Sequence, residues 1–306
     1  MMSTNETERK YFFDPEAQVR FNEVVGSGRE IFDQSGLIDT HHEISVDDLS
    51  KVTQFHKAVS PANPGHSWRL AKEERPIAKD PSFFGNWEAP GGPLEHIEFA
   101  SDAARIITEG LQSHLKHDDQ LDNPLLRGIA HDIKGISSLH AAAAASLHDE
   151  GREVTHLFYT NEQIGRTLLK RIGIRDDILK VLPDEKVMLT PRDKDMNEAI
   201  QDLPPEAVIV RIADEFGKRF PGSNRLYQPE DYTAWDREKW AAGYINRPSA
   251  GRPSDAFMRK NMQLHVDNVP RYFEALDEWV RSISTLTLED ITQAINVSLA
   301  PTLRPL

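Results

Sequence analysis

The chain has no cysteine among its 306 residues. That excludes disulfides, thiolate metal sites and cysteine nucleophiles, and it fits a cytoplasmic address. No stretch approaches the roughly 18 uninterrupted apolar residues of a membrane span, so no membrane partner is expected. The opening residues, Met1 to Lys10, lack the apolar core of a secretory signal. Positive charge is also in short supply, with 36 Lys and Arg against 49 Asp and Glu and a net charge of -13. Duplex nucleic acid is therefore an unsuitable partner, because affinity for it comes largely from Lys and Arg on phosphates. A local pocket for a single phosphate group remains compatible with that balance. What is present is the material of a globular core, with 39% hydrophobic residues and 8% aromatics.

Three regions follow from the order of residues. Residues 1–90 read as an N-terminal extension packing on the core. Helical patterns run over residues 14–34, with Asp14 as N-cap and Pro15 following, and over 45–56, where Ser45 precedes Asp48 by three. Between 60 and 93 the chain fills with Pro and Gly, and Trp68, Phe83, Phe84 and Trp87 read as a loop packed on the main body. Residues 91–285 read as a helical domain and 286–306 as a tail with one small helix. In the domain, Phe99, Ala103, Ile106, Ile107 and Leu111 fall on one side of a helix, and His96 belongs to the same side. Pro124 opens the next helix, and residues 137–147, with five successive alanines, form a close-packing one. Thr160 is read as N-cap of a helix ending at Gly173. The apolar run 204–216 has β-branched residues, yet its Pro-Pro-Glu start and its polar end favour a buried helix. Residues 256–283 read as a helix pair broken at Pro270.

The chemistry is sought on apolar helices. Of three His-Asp dipeptides, His117-Asp118 lies in a polar run and His148-Asp149 precedes Glu150-Gly151 in a turn; both read as solvated surface. His131-Asp132 sits among Leu125, Leu126, Ile129, Ala130 and Ile133, where burying an imidazole and a carboxylate is costly without a partner. Asp214 stands inside the run Val208 to Phe216. A divalent metal suits such a set. Each residue also has a plainer reading. A lone histidine on an apolar stripe is usually a hydrogen-bonded core residue, Asp214 has a partner in Arg211 three residues earlier, and Asp132 has one in Arg127.

Taken together, Glu95-His96, His131-Asp132-Ile133 and Ile212-Ala213-Asp214 resemble the HD-domain superfamily of metal-dependent phosphohydrolases, whose pattern is His…His-Asp…Asp. The segment Asn161 to Gly173 resembles that family's stretch after the His-Asp. The resemblance covers about 90–220, with 260–283 adding closing helices. It implies an all-α, HD-domain-like helical bundle with an irregular N-terminal extension. His96, His131, Asp132 and Asp214 would then hold one divalent ion, Mn, Fe, Co, Ni, Zn or Mg, with a water acidified by the metal and aimed at phosphorus. The implied function is hydrolysis of a small phosphate ester, most readily a nucleotide. Lys134 and, less directly, Arg211 and Lys218 would meet phosphate charge, and Glu162 or Glu95 would be the acid or base.

Two departures from the family pattern stand out. Members with two metals carry extra histidines where this chain has Thr160 and Asn161, so one metal is expected. Many members read His-Asp-Ile-Gly-Lys, whereas residues 131–135 read His-Asp-Ile-Lys-Gly, which moves the lysine about 100° round the helix. The alternative function is a non-catalytic metal- or ligand-binding HD domain with a regulatory role. A metal-free helical scaffold is a third reading, and self-association is left open.

Overall fold

A computed structural model describes residues 15–59, 92–121, 123–149, 161–183, 187, 190–220, 223–233 and 255–305. These residues are 71% helical. Among them there is no strand, only two isolated antiparallel bridges, Leu115 with Ser284 and Arg219 with Leu226. Asp14, Thr160 and the aromatics at 68, 83, 84 and 87 fall outside the described residues.

The helices are α1 (Pro15–Ile31), α2 (Val46–Val59), α3 (Pro93–Ser113), α4 (Pro124–Gly135), α5 (Ser138–Leu147), α6 (Asn161–Ile172), α7 (Asp176–Val181), α8 (Met196–Gln201), α9 (Pro205–Phe216), α10 (Pro229–Thr233), α11 (Asp255–Ile283) and α12 (Leu288–Leu299). Local chemistry sets many of their starts. Pro93, Pro124 and Pro205 open α3, α4 and α9, where a missing N–H costs nothing. Ser45 and Asp48 cap α2 reciprocally, the Asp48 amide donating to Ser45 Oγ and the Ser45 amide to the Asp48 carboxylate. Thr287 and Asp290 do the same for α12.

The centre of the molecule is α5. Ala141 to Ala145 are all fully buried, and with side chains this small α3 and α9 approach its backbone closely. The α3–α5 interface is the most extensive in the fold, and α9 packs on both. In α9 every residue from Ala207 to Ala213 is buried, which is why its sequence shows no polar face. Helix, not strand, satisfies that backbone internally. α2 covers α5 from one side, α1 packs on α2 and α6, and α12 lies along α3.

One hydrophobic core takes Phe21, Phe32 and Phe55 from the first 60 residues together with Leu288, Ile291, Ile295 and Leu299 from α12. Pro270 does not break α11, which continues through it. The proline costs on the order of 3 kcal/mol. Tyr272, Phe273, Leu276, Trp279, Val280 and Ile283, all buried after it, offset that by holding the second half of the helix on the core.

Candidate metal centre

Three helix ends meet at one point. His96 is in the first turn of α3, Asp214 in the last turn of α9, and His148-Asp149 immediately follows α5. His148 Nε2 is 3.1 Å from Asp214 Oδ1 and 3.4 Å from Asp149 Oδ2. His96 Nε2 is 3.2 Å from Asp214 Oδ1 and 3.9 Å from Asp149 Oδ2. The two Nε2 atoms lie 3.3 Å apart, with the rings edge to face. His96, His148 and Asp149 form the metal-binding-type cluster among the described residues, and Asp214 faces both imidazoles.

Both rings are held from behind. His148 Nδ1 lies 2.6 Å from the Ala145 carbonyl and His96 Nδ1 lies 3.2 Å from the Gly217 carbonyl. A carbonyl only accepts, so each Nδ1 carries a proton, and Nε2 is the nitrogen that turns a lone pair inward whenever the ring is neutral. Two inward lone pairs at 3.3 Å repel unless a proton or a cation lies between them. Two nitrogen ligands about 2.0–2.1 Å from one ion would themselves stand roughly 3–3.4 Å apart. The spacing, the fixed tautomers and the two carboxylates therefore fit a divalent ion. The C-terminal ends of α5 and α9 add negative dipole ends to the same place.

The charges there shift one another. Burial alone pushes the His148 imidazole down, but Asp149 and Asp214 outweigh it and hold its pKa well above the usual value. Burial pushes the Asp214 carboxyl up, yet His148, His96 and the Lys218 ammonium together hold it well below the carboxylate range. Lys218 Nζ donates to Glu215 Oε2 at 2.7 Å and rests against the rings of Tyr227 and Tyr232.

Of the four ligands expected from sequence, His96 and Asp214 are brought together. His131 and Asp132 are not. Their side chains are 87% and 67% exposed, and they lie 3.8 Å from each other on the outer face of α4. Ile129, Ala130 and Ile133 point inward as read. At about 100° per residue His131 lies roughly 150° from the middle of that stripe, so membership of the run does not put it on the buried side. The residues that complete the cluster, His148 and Asp149, are the pair read as surface, and their side chains are 4% and 11% exposed.

Two signals in the sequence point to them. A helix of five alanines has no polar face and must lie centrally, so the residue at its end emerges in the interior. Residues 148–152 also read His-Asp-Glu-Gly-Arg, with Gly and a basic residue in the order that 131–135 lack.

The supporting residues divide as well. Lys134 is exposed on α4, with the exposed dyad. Arg211 is buried one turn before Asp214, where its charge acts on the buried Tyr272 hydroxyl. The side chain of Glu162 lies outside the described residues. Glu95 is buried against Arg219, which donates two hydrogen bonds to its carboxylate. His140 stays out of the cluster and is bound to Glu206 and Asp177. No family model, curated protein or solved structure matches the chain.

Proposed function

We propose that the chain is an HD-type metal-dependent phosphohydrolase that acts on a small phosphate ester, with nucleotides as the first class to test. The observation that carries this reading is the convergence of His96, His148-Asp149 and Asp214, in the chain order His…His-Asp…Asp, at the ends of three packed helices. His-Asp-Glu-Gly-Arg at 148–152 supports it further. A divalent ion held by these four side chains would supply Lewis acidity and lower the pKa of a water bound to it. The remaining work belongs to the chain. The carbonyls of Ala145 and Gly217 accept from Nδ1 and aim both Nε2 atoms inward, so that each neutral ring offers its Nε2 lone pair to the ion. Asp214, with 29% of its side chain exposed, marks the side from which a substrate reaches the cluster. Lys218, close enough to stabilise the Asp214 carboxylate, is the cation placed to meet a phosphate there, and Glu215 and two tyrosine rings hold it.

The test is phosphate release from a panel of phosphomonoesters and nucleotides by protein loaded with Mn²⁺, Co²⁺ or Ni²⁺. Turnover in wild type that disappears in His148→Ala is the expected result. Bound metal without phosphate release from any panel member would reject the hydrolase and favour the metal-binding domain with a regulatory role.

A further inference from the structure

Beside the cluster sits an ion pair that the chemistry above does not use. Arg219 Nε donates to Glu95 Oε2 at 2.9 Å and its Nη2 donates to Glu95 Oε1 at 2.8 Å, a bidentate pair with both side chains 2% exposed. The remaining donors of the guanidinium are also satisfied. Nη2 reaches the Arg304 carbonyl at 2.7 Å, and Nη1 reaches the Ser223 carbonyl at 3.3 Å and Asn224 Oδ1 at 3.1 Å. All five N–H groups have acceptors. Such a pair is poor evidence of a stability role, because removing two charges from water cancels most of their attraction. Its place in the fold suggests another role.

Glu95 is the residue before His96, and Arg219 follows Gly217, whose carbonyl holds the His96 ring. The segment after α9 thus grips the first turn of α3 twice, once through the imidazole and once through the carboxylate. Among the described residues no side chain caps that turn, whose N-cap is Gly92. Asp214 is in the last turn of α9, three residues before Gly217. The grip therefore fixes His96 and Asp214 relative to each other, at their 3.2 Å separation.

We propose that Glu95 and Arg219 are positioning residues of the metal centre: their buried bidentate pair sets where His96 Nε2 stands relative to Asp214 and His148. The inference rests on the metal reading of the cluster. Planar, five-donor geometry is needed, so lysine is no substitute for Arg219.

The double variant Glu95→Leu/Arg219→Met tests it, because it replaces the pair with apolar side chains of similar bulk and leaves no buried charge alone. Co²⁺ titration of the full-length chain, followed by visible absorption, reads both affinity and ligand geometry. The expected result is a Tm close to wild type, Co²⁺ binding weakened by about 10–100-fold and an altered Co²⁺ spectrum. Arg219→Lys carries the same test if the double variant does not fold, with a smaller loss of affinity. Leu288→Ala, a core truncation remote from the pair, should lower Tm and leave the Co²⁺ spectrum unchanged. Wild-type affinity and spectrum in the folded double variant would overturn the positioning role while leaving the metal centre standing. No Co²⁺ binding by wild type would remove the centre and the inference together.

Discussion

The dipeptide His-Asp occurs on α4 and again at the end of α5, and the two copies have opposite surroundings. At α4 both side chains stand in solvent, with His131 and Asp132 touching chiefly each other. At α5 the imidazole is enclosed by Asp214, by His96 and by the Ala145 carbonyl behind it. Residue type is identical in the two places; the packing of the helix that delivers the pair differs. An amphipathic helix lies at the surface and turns only its apolar stripe inward, so a dyad off that stripe is solvated. A helix small and apolar on all sides is surrounded by others, and its terminus is an interior position that can bring ligands from three elements together.

That contrast predicts unequal responses to the smallest change in side chain. At Gly217 a Cβ would meet the Ala213 carbonyl oxygen at 2.5 Å and the Ala100 Cα at 2.6 Å, both backbone atoms that cannot swing away. Gly217→Ala should push the end of α9 off α3, costing about 1–3 kcal/mol of stability. It should also weaken Co²⁺ binding. Chemical denaturation and the metal titration, run together, check both. Unchanged values would mean that the close approach of α9 and α3 does not build the site.

An intermediate effect is expected at His140, on the helix that leads into the buried dyad. Burial pushes its pKa down, but the hydrogen bond and charge of Glu206, together with the charge of Asp177, raise it above the usual value, against a small opposing effect of Arg175. A histidine whose pKa is raised by folding adds stability that is complete below its unfolded value, near 6.5, and disappears as pH climbs through the folded value. The Tm deficit of His140→Gln relative to wild type should therefore be larger at pH 6 than at pH 9. A deficit that is the same at both values would show that the imidazole is held uncharged.

The smallest effect belongs to the exposed copy. Gly128, one turn before His131 on α4, has nothing within 4 Å of a built Cβ. Gly128→Ala should stabilise by roughly 0.5–1 kcal/mol through helix propensity and leave metal binding untouched. A loss of metal on this change would tie α4 to the site and break the comparison.

Much of the fold was readable because its signals are local. Proline at the first helical position, the reciprocal cap at Ser45 and the unbroken apolar run of α9 depend only on neighbours in sequence. His96 and Asp214 could be found for the same reason, each being a polar residue out of place on an apolar helix. His131-Asp132 reads as enclosed in the sequence but stands in solvent, because a run of apolar residues is not a face, and position round the helix decides which side chain is enclosed. His148 reads as surface because the polar residues after it look like a turn, whereas the buried alanines before it determine where it emerges. Arg219 had no sequence signal at all. Its partners Glu95, Ser223, Asn224 and Arg304 come from three separate stretches of chain and meet only in the folded molecule.

The most direct measurement is metal content by elemental analysis after incubation with Mn²⁺ or Ni²⁺ and desalting, with wild type, Asp132→Ala and Asp149→Ala prepared in parallel. About one divalent ion per chain is expected in wild type and in Asp132→Ala, with loss of that ion in Asp149→Ala. Metal retained by Asp149→Ala but lost from Asp132→Ala would contradict this expectation and return the site to the exposed dyad on α4. No metal in any of the three would leave His96, His148, Asp149 and Asp214 as a buried network that shares a proton.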